Sequence, residues 1–319
     1  MRTTDEFCGH TNAEPWLSLT FDVKSGKDTA FGDVMWCPDC DCGFVRNMPT
    51  PDQIAAHYDL AAYYTQGSET HMPDIPVTLA DRILTKLAWM ADEEPSHLAD
   101  AIAAKSVHAG KFIDIGCGNG DLLTAMRQRG FQVVGVDPDA AARDYAGQSG
   151  LETYAGTAED LPRELGNTAF DTIAMTHVLE HCISPTRALE NVRHHLTDDG
   201  LFYCEVPNCG AIYFQRNAQI SEMLDLPRHL HFFTKTSLQK LCKAAGLQII
   251  DWRYHGYTRQ FIAAWRGWEN SIHDRIVARG ETPRNKRRTF ANSLRLIMDT
   301  AWQTPDQKFD CIGFFATRA

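Results

Sequence analysis

The stretch FIDIGCGNGDLL, residues 112–123, is an apolar run ending on an acid, Asp114, followed by glycines at 116, 118 and 120 and the start of an amphipathic segment. Glycines placed between a strand and a helix let a ligand approach main chain without interference from Cβ atoms. The dinucleotide fingerprint Gly-x-Gly-x-x-Gly, counted from Gly116, requires glycine at 121, where Asp121 stands. No Lys-Ser/Thr pair follows, so a phosphate-gripping P-loop is also disfavoured. Working outward, the next apolar run, 131–136, leads into Asp137, 21 positions after Gly116. In an open α/β sheet that carboxylate sits at the carboxyl edge beside the first loop, within reach of ribose hydroxyls. Glycine loop and ribose acid together predict an adenosine-containing ligand without a pyrophosphate.

The rest of the chain alternates short apolar runs with helical segments, which predicts βα units and a parallel sheet. Strands are expected at 112–115, 131–136, 151–154, 170–175, 201–206, 247–252 and in the closing DCIGFFATR. Helices are expected at 121–129, stopped by Gly130, and at 140–148. Another begins at a Ser184 cap with Pro185 in its first turn and Leu189, Val192 and Leu196 inward. The stretch TSLQKLCKAAG reads as a helix with a capping box from Thr236 to Gln239. Residues 258–302 read as helical with a loop near 280–284, and 76–105 as helical with Leu79, Ile83, Leu84, Leu87 and Met90 on one inward stripe. The expected fold class is α/β: a doubly wound, seven-stranded Rossmann-like sheet, with a small Cys-rich N-terminal lobe and a helical insert before the last strand. The expected boundaries are 1–65 for the lobe, 66–105 for a helical connector and 106–319 for the sheet domain, its insert at about 255–305.

With these motifs in order, the sequence resembles the class I S-adenosylmethionine-dependent methyltransferases. DIGCGNG looks like their first motif and VVGVDPD their second; GTAEDLP, FDTIAMTHVLEHC and LTDDGLFYCEVPN are similar to the segments that follow. The likeness covers roughly 110–254, and its flavour is that of ubiquinone-biosynthesis and sugar or small-molecule methyltransferases. It implies that Gly116, Gly118 and Gly120, with Cys117, line the methionine part of the cofactor and that Asp114 orients its ammonium group. It implies further that Asp137, with Pro138, holds the ribose, that Ala158 and Glu159 meet adenine, and that His177 lies under the sulfonium. Where many relatives have an acid, Thr157 stands, so Asp160 or main-chain carbonyls are expected at the adenine amino group.

Ten cysteines suit reduced thiols in a cytosolic enzyme better than a disulfide framework, and four of them crowd the first 42 residues. Cys37-Pro-Asp-Cys40 is a knuckle suited to zinc, with Cys8-Gly-His10 as its partner and Cys42 as a fifth candidate. Many relatives carry a small zinc ribbon at this place, which makes structural Zn²⁺ the expected second cofactor.

The net charge of −10 argues against a broad grip on nucleic acid, and no apolar run approaches the ~18 residues of a membrane span. The opening MRTTDEF is polar, without an apolar core for a signal peptide, so a cytoplasmic protein is expected. The one dense basic run, RNKRR at 284–288, reads as a solvated loop or a contact for an anionic partner. For an oxygen acceptor a base is needed, and histidine is the natural choice. His181 and His231 are the expected base or acceptor-orienting groups, with His177 and His229 beside them; Tyr257, Trp265 and Trp268 are candidates to roof a planar acceptor. Ubiquinone-type relatives carry a metal-holding Glu-x-x-Glu-His run, which here reads His177-x-x-Glu180-His181. The expected partner is a small-molecule acceptor, with no nucleic acid or membrane. The competing readings are a cofactor-binding sensor or scaffold without turnover, and a methyltransferase acting on RNA or protein.

Overall fold

A computed structural model describes residues 8–55, 57, 75–92 and 97–319. The expected lobe–connector boundary at 65–66 and the stretch MRTTDEF lie outside them. Eleven strands occur among the described residues: β1 (Glu14–Ser18), β2 (Asp33–Cys37), β3 (Cys42–Val45), β4 (Lys111–Ile115), β5 (Gln132–Asp137), β6 (Thr153–Ala155), β7 (Phe170–Thr176), β8 (Leu196–Pro207), β9 (His231–Phe232), β10 (Leu247–His255) and β11 (Cys311–Arg318). Seven form one sheet in the order β10-β11-β8-β7-β4-β5-β6. Strands β4 to β8 pair in parallel, while β11 runs antiparallel to both β8 and β10. From β4 the chain winds to one side through β5 and β6 and then to the other through β7 and β8. The switch point, where such sheets bind ligands, therefore lies at the carboxyl end of β4. Ile113, Ile115, Ile173 and Met175 are fully buried, as expected for central strands covered on both faces.

Local chemistry sets the helices. Ser184 caps Pro185–His195 by accepting from the Arg187 N–H, and Ala188, Leu189 and Val192 turn inward. The helix Lys235–Ala244 is capped two residues earlier than expected: Thr234, not Thr236, is its cap and forms the capping box with Ser237. Starting there brings Ser237, Leu238, Leu241 and Cys242 onto one buried face. In Leu79–Ala91 the inward face is Asp81, Leu84 and Ala88; of the expected stripe only Leu84 is buried, while Leu79, Ile83, Leu87 and Met90 are exposed. Asp81 belongs to the capping box with Thr78 and pairs with Arg266, and satisfying those polar groups sets which face turns in. Tyr257, Trp265 and Trp268 are buried in the core instead of roofing a site.

The N-terminal strands form a second, antiparallel sheet, β1-β2-β3-β9, whose last strand comes from beyond β8. Arg228, fully buried just before β9, reinforces that junction by donating to Asp22 at 2.8 Å and Asp225 at 2.7 Å. Arg228, with Lys24 on Asp225 at 2.8 Å, holds both carboxyls below their usual range against the opposing effect of burial. No described helix is long and apolar enough to cross a membrane.

Candidate functional site

The three glycines of the 116–120 loop have positive φ, but they do different work. A Cβ on Gly116 would lie 2.2 Å from Val178 Cγ2, and one on Gly120 2.4 Å from Leu151 Cδ1, so both positions are closed by packing. A Cβ on Gly118 would meet no protein atom within 4 Å: its bare face looks into open space. The side chain of Cys117 turns the other way, toward Gly135, leaving only its main chain for a ligand.

Two carboxylates back this loop. Asp137 accepts from the Gly118 N–H and the Asp139 N–H, both at 2.8 Å, which ties the end of β5 to the glycine turn. Asp114, at the end of β4, is 3% exposed, and its Oδ1 is buried with no hydrogen-bond partner. Burial, with the neighbouring Asp137 charge, pushes its pKa up to about 8, and burial raises Asp137 as well. A buried carboxylate without a donor calls for a cation, and the ammonium of S-adenosylmethionine supplies one. Open space over Gly118 and an orphaned acceptor beside it fit the cofactor implied by the motifs.

The adenine-side residues are partly engaged. Glu159 Oε1 accepts from the Ser184 N–H at 2.6 Å, and the Ala158 carbonyl accepts from Asn191 at 2.9 Å. Both brace the helix that follows β7. Pro138 is exposed after Asp137.

Beside the loop, the same carboxyl edge carries a polar cluster that only part of the sequence reading foresaw. His177, after β7, has φ +55 and lies between two carboxylates: Glu180 Oε1 at 3.2 Å and Glu205 Oε1 at 3.5 Å. His255, the last residue of β10, is 2.9 Å from the same Glu205 oxygen, while Tyr203 donates to the other at 2.5 Å. Cys311 Sγ lies 4.0 Å from His177 Nε2 and accepts from Arg259 at 3.0 Å. Burial opposes charge on His177 and His255, but their partners outweigh it and raise both pKa values. Glu205, though buried, is held well below the usual carboxylate range by the two histidines. His177, Glu205 and Cys311 offer ligand atoms within 4.8 Å of one another, as do Glu180, His181 and His229. In the first group each side chain also has a hydrogen-bond partner.

His181 and His231 are placed differently. His231 is 2% exposed, bonds the Cys182 carbonyl at 3.0 Å and stacks on Phe233; burial, with the nearby His10, pushes its pKa down to about 3. His181 bonds the Arg228 carbonyl at 3.1 Å and meets His229 edge-on; burial and His229 push it down to about 4. An imidazole that binds a proton so weakly is a poor base near neutrality. Both lie against the β3–β9 junction, which no periodicity in the sequence announces.

In the N-terminal lobe, Cys8, His10, Cys37 and Cys40 bring their ligand atoms within 4.8 Å of one another. Cys8 and Cys37 sulfurs are 3.6 Å apart, and Cys40 Sγ is 3.5 Å from His10 Nδ1. Asp41, at φ +59, turns the knuckle. Of the two alternatives at the fourth position the group contains Cys40; Cys42 Sγ instead faces the Gly43 carbonyl at 3.3 Å. Three sulfurs and one nitrogen brought this close are a donor set suited to zinc. The ten cysteines form no disulfide.

The family model described as "Methyltransferase domain" matches residues 87–251. The ubiquinone biosynthesis O-methyltransferase of Ruegeria pomeroyi is 32% identical over 179 residues, covering 53% of this chain and 69% of that protein. The C-methyltransferase NovU of Streptomyces niveus is 26% identical over 271 residues, covering 79% of this chain and 58% of its own length. A solved S-adenosylmethionine-dependent methyltransferase of Thermotoga maritima overlaps with a TM-score of 0.46 at 15% identity, covering 74% of this chain and 92% of that one. With the family match spanning more than half the chain, and the glycine loop and strand order in place, the chain belongs to the class I S-adenosylmethionine-dependent methyltransferases.

Proposed function

We propose that this enzyme methylates a small-molecule acceptor, a biosynthetic intermediate or a sugar, by in-line displacement. The observation that carries the reading is the placement of the open glycine loop and a polar cluster with two partly exposed histidines at one edge of one sheet. Bound at the loop, the cofactor supplies the electrophilic methyl group; the chain supplies alignment and proton handling. His177, held between Glu180 and Glu205, is placed to orient an acceptor oxygen. His255, oriented by Glu205, is the better placed base. The relatives are named for O- and C-methylation, so the methylated atom stays outside the proposal. In this reading residues 1–65 form a structural zinc lobe, 66–105 a connector and 106–319 the transferase unit of a cytoplasmic enzyme. The test is to incubate the protein with methyl-labelled S-adenosylmethionine and cell extract separated by size. Label is expected in compounds below about 1 kDa; label confined to protein or RNA, or cofactor binding with no transfer, would sink the reading.

The raised pKa of Asp114 gives an independent prediction. Its carboxyl ionises near pH 4 when unfolded and about pH 8 when folded, so the unfolded chain releases its proton first. The group therefore costs the cofactor-free fold increasing stability as pH rises through that window. The cofactor ammonium pairs only with the ionised form, so affinity for S-adenosylhomocysteine should rise between pH 6 and 8, by up to about tenfold per unit. Calorimetry across pH checks this, and Asp114→Asn should flatten the profile. A flat wild-type profile would remove Asp114 from the ammonium site.

A further inference from the structure

The basic run Arg284-Asn285-Lys286-Arg287-Arg288 has no task in methyl transfer, yet it is built into a concave surface. A cavity of about 430 Å³ is lined by five cations: Arg216, Arg284, Lys286, Arg288 and Arg295. Three asparagines and one leucine complete the lining; no carboxylate contributes to it. Two acids outside the lining compensate part of the charge. Asp299 is shared by Arg216 at 2.6 Å and Arg295 at 3.8 Å, and Glu269 holds Arg288 at 2.8 Å. Among the described residues no acid pairs with Lys286 or Arg284, whose guanidinium donates to the Trp16 carbonyl. Five cations against two acids leave an excess of three positive charges, on a chain whose net charge is −10.

The loop is also held in place, unlike a simple solvated run. The Arg288 N–H donates to Asn270 Oδ1 at 2.7 Å, and Asn270 Nδ2 donates back to the Arg288 carbonyl at 3.0 Å. The Arg284 N–H donates to Gln219 Oε1 at 2.7 Å. Asn285 donates to the Arg216 carbonyl at 2.8 Å and accepts from the Gln219 N–H at 2.9 Å. These bonds fasten both ends of the run to neighbouring helical segments, so like charges are presented together with little ordering left to do on binding. Their mutual repulsion is relieved by an anion.

We propose that this cavity binds the phosphate or diphosphate group of a small molecule, at a site that shares no residue with the glycine loop or the His177 cluster. Four of the five cations are arginines, whose planar fork matches phosphate oxygens two at a time. The volume lies in the range of small-ligand pockets and accommodates a diphosphate with an attached sugar or nucleoside. A long polyanion would extend from the cavity over an acidic chain and be repelled there, which favours a small ligand over nucleic acid.

The experiment is calorimetric titration of the full chain with inorganic pyrophosphate, then with uridine diphosphate, then with a short single-stranded RNA. Pyrophosphate is expected to bind once per chain and to weaken as salt is raised. Lys286→Glu and Arg295→Glu should each weaken it by about tenfold or more. Both side chains are exposed, so S-adenosylhomocysteine affinity and melting temperature should be unchanged, which separates loss of the site from loss of the fold. Where a reversal unfolds the chain, Lys286→Gln and Arg295→Gln take its place. Tighter binding of uridine diphosphate than of pyrophosphate would extend the site to the organic group, and equal binding would restrict it to phosphate. No pyrophosphate binding at millimolar concentration, binding indifferent to the substitutions, or RNA binding more tightly than pyrophosphate and lost in the same variants would each overturn the proposal.

Discussion

Gly118→Val is expected to weaken S-adenosylhomocysteine binding by at least about 100-fold, because the new side chain enters the space a ligand must use. No protein atom lies within 4 Å of a Cβ at this position, so packing does not exclude the valine; only the ligand does. The substitution carries a second cost, since φ is +49 and a β-branched residue there is strained by roughly 1–2 kcal/mol. Gly118→Asn separates the two effects: asparagine tolerates the left-handed region, so the fold should hold while the cofactor is still blocked. Gly116→Val and Gly120→Val should instead disturb the fold, because Val178 and Leu151 already occupy those directions. Calorimetry with thermal melting distinguishes the outcomes. Undiminished affinity in both Gly118 variants would remove this loop from the cofactor site.

Protein purified without added metal is expected to contain one zinc per chain, and Cys37→Ser is expected to release it and unfold the lobe. Metal binding in such small sites is worth about 10–16 kcal/mol in isolated peptides, more than β1–β3 can replace by packing alone. The consequence should reach past the lobe, because β3 pairs with β9 and Arg228 ties Asp22 to Asp225 across the same junction. Cys42→Ser is the control: its sulfur faces a main-chain carbonyl outside the four-residue group, so zinc content should be unchanged. Elemental analysis of the three proteins, with hydrogen exchange over residues 14–45, tests both statements. Absence of zinc in a well-folded wild type would leave a metal-free lobe of buried thiols.

The glycine turn, Asp114 and Asp137 and the succession of strands along the chain were legible in the sequence because each rests on local pattern: alternating apolar runs, glycines at fixed offsets, an acid at a strand end. The cysteine knuckle was legible for the same reason, since Cys37 and Cys40 are three residues apart. Tertiary structure alone decided that Gly118 faces open space while Gly116 and Gly120 are filled by Val178 and Leu151, contacts 62 and 31 residues distant. It also decided that Cys40 rather than Cys42 joins Cys8, His10 and Cys37 in the candidate metal group, through the turn at Asp41. The cluster of His177, Glu205, His255 and Cys311 was out of reach for a related reason. Its members lie in or just after the carboxyl ends of β7, β8 and β10 and at the start of β11, and antiparallel insertion of β11 between β8 and β10 is what brings them to one edge. A side chain's affinity for a proton follows from what surrounds it, and those neighbours come from distant parts of the chain: Cys311, Glu180 and Glu205 raise the pKa of His177 against its burial, while burial lowers those of His181 and His231.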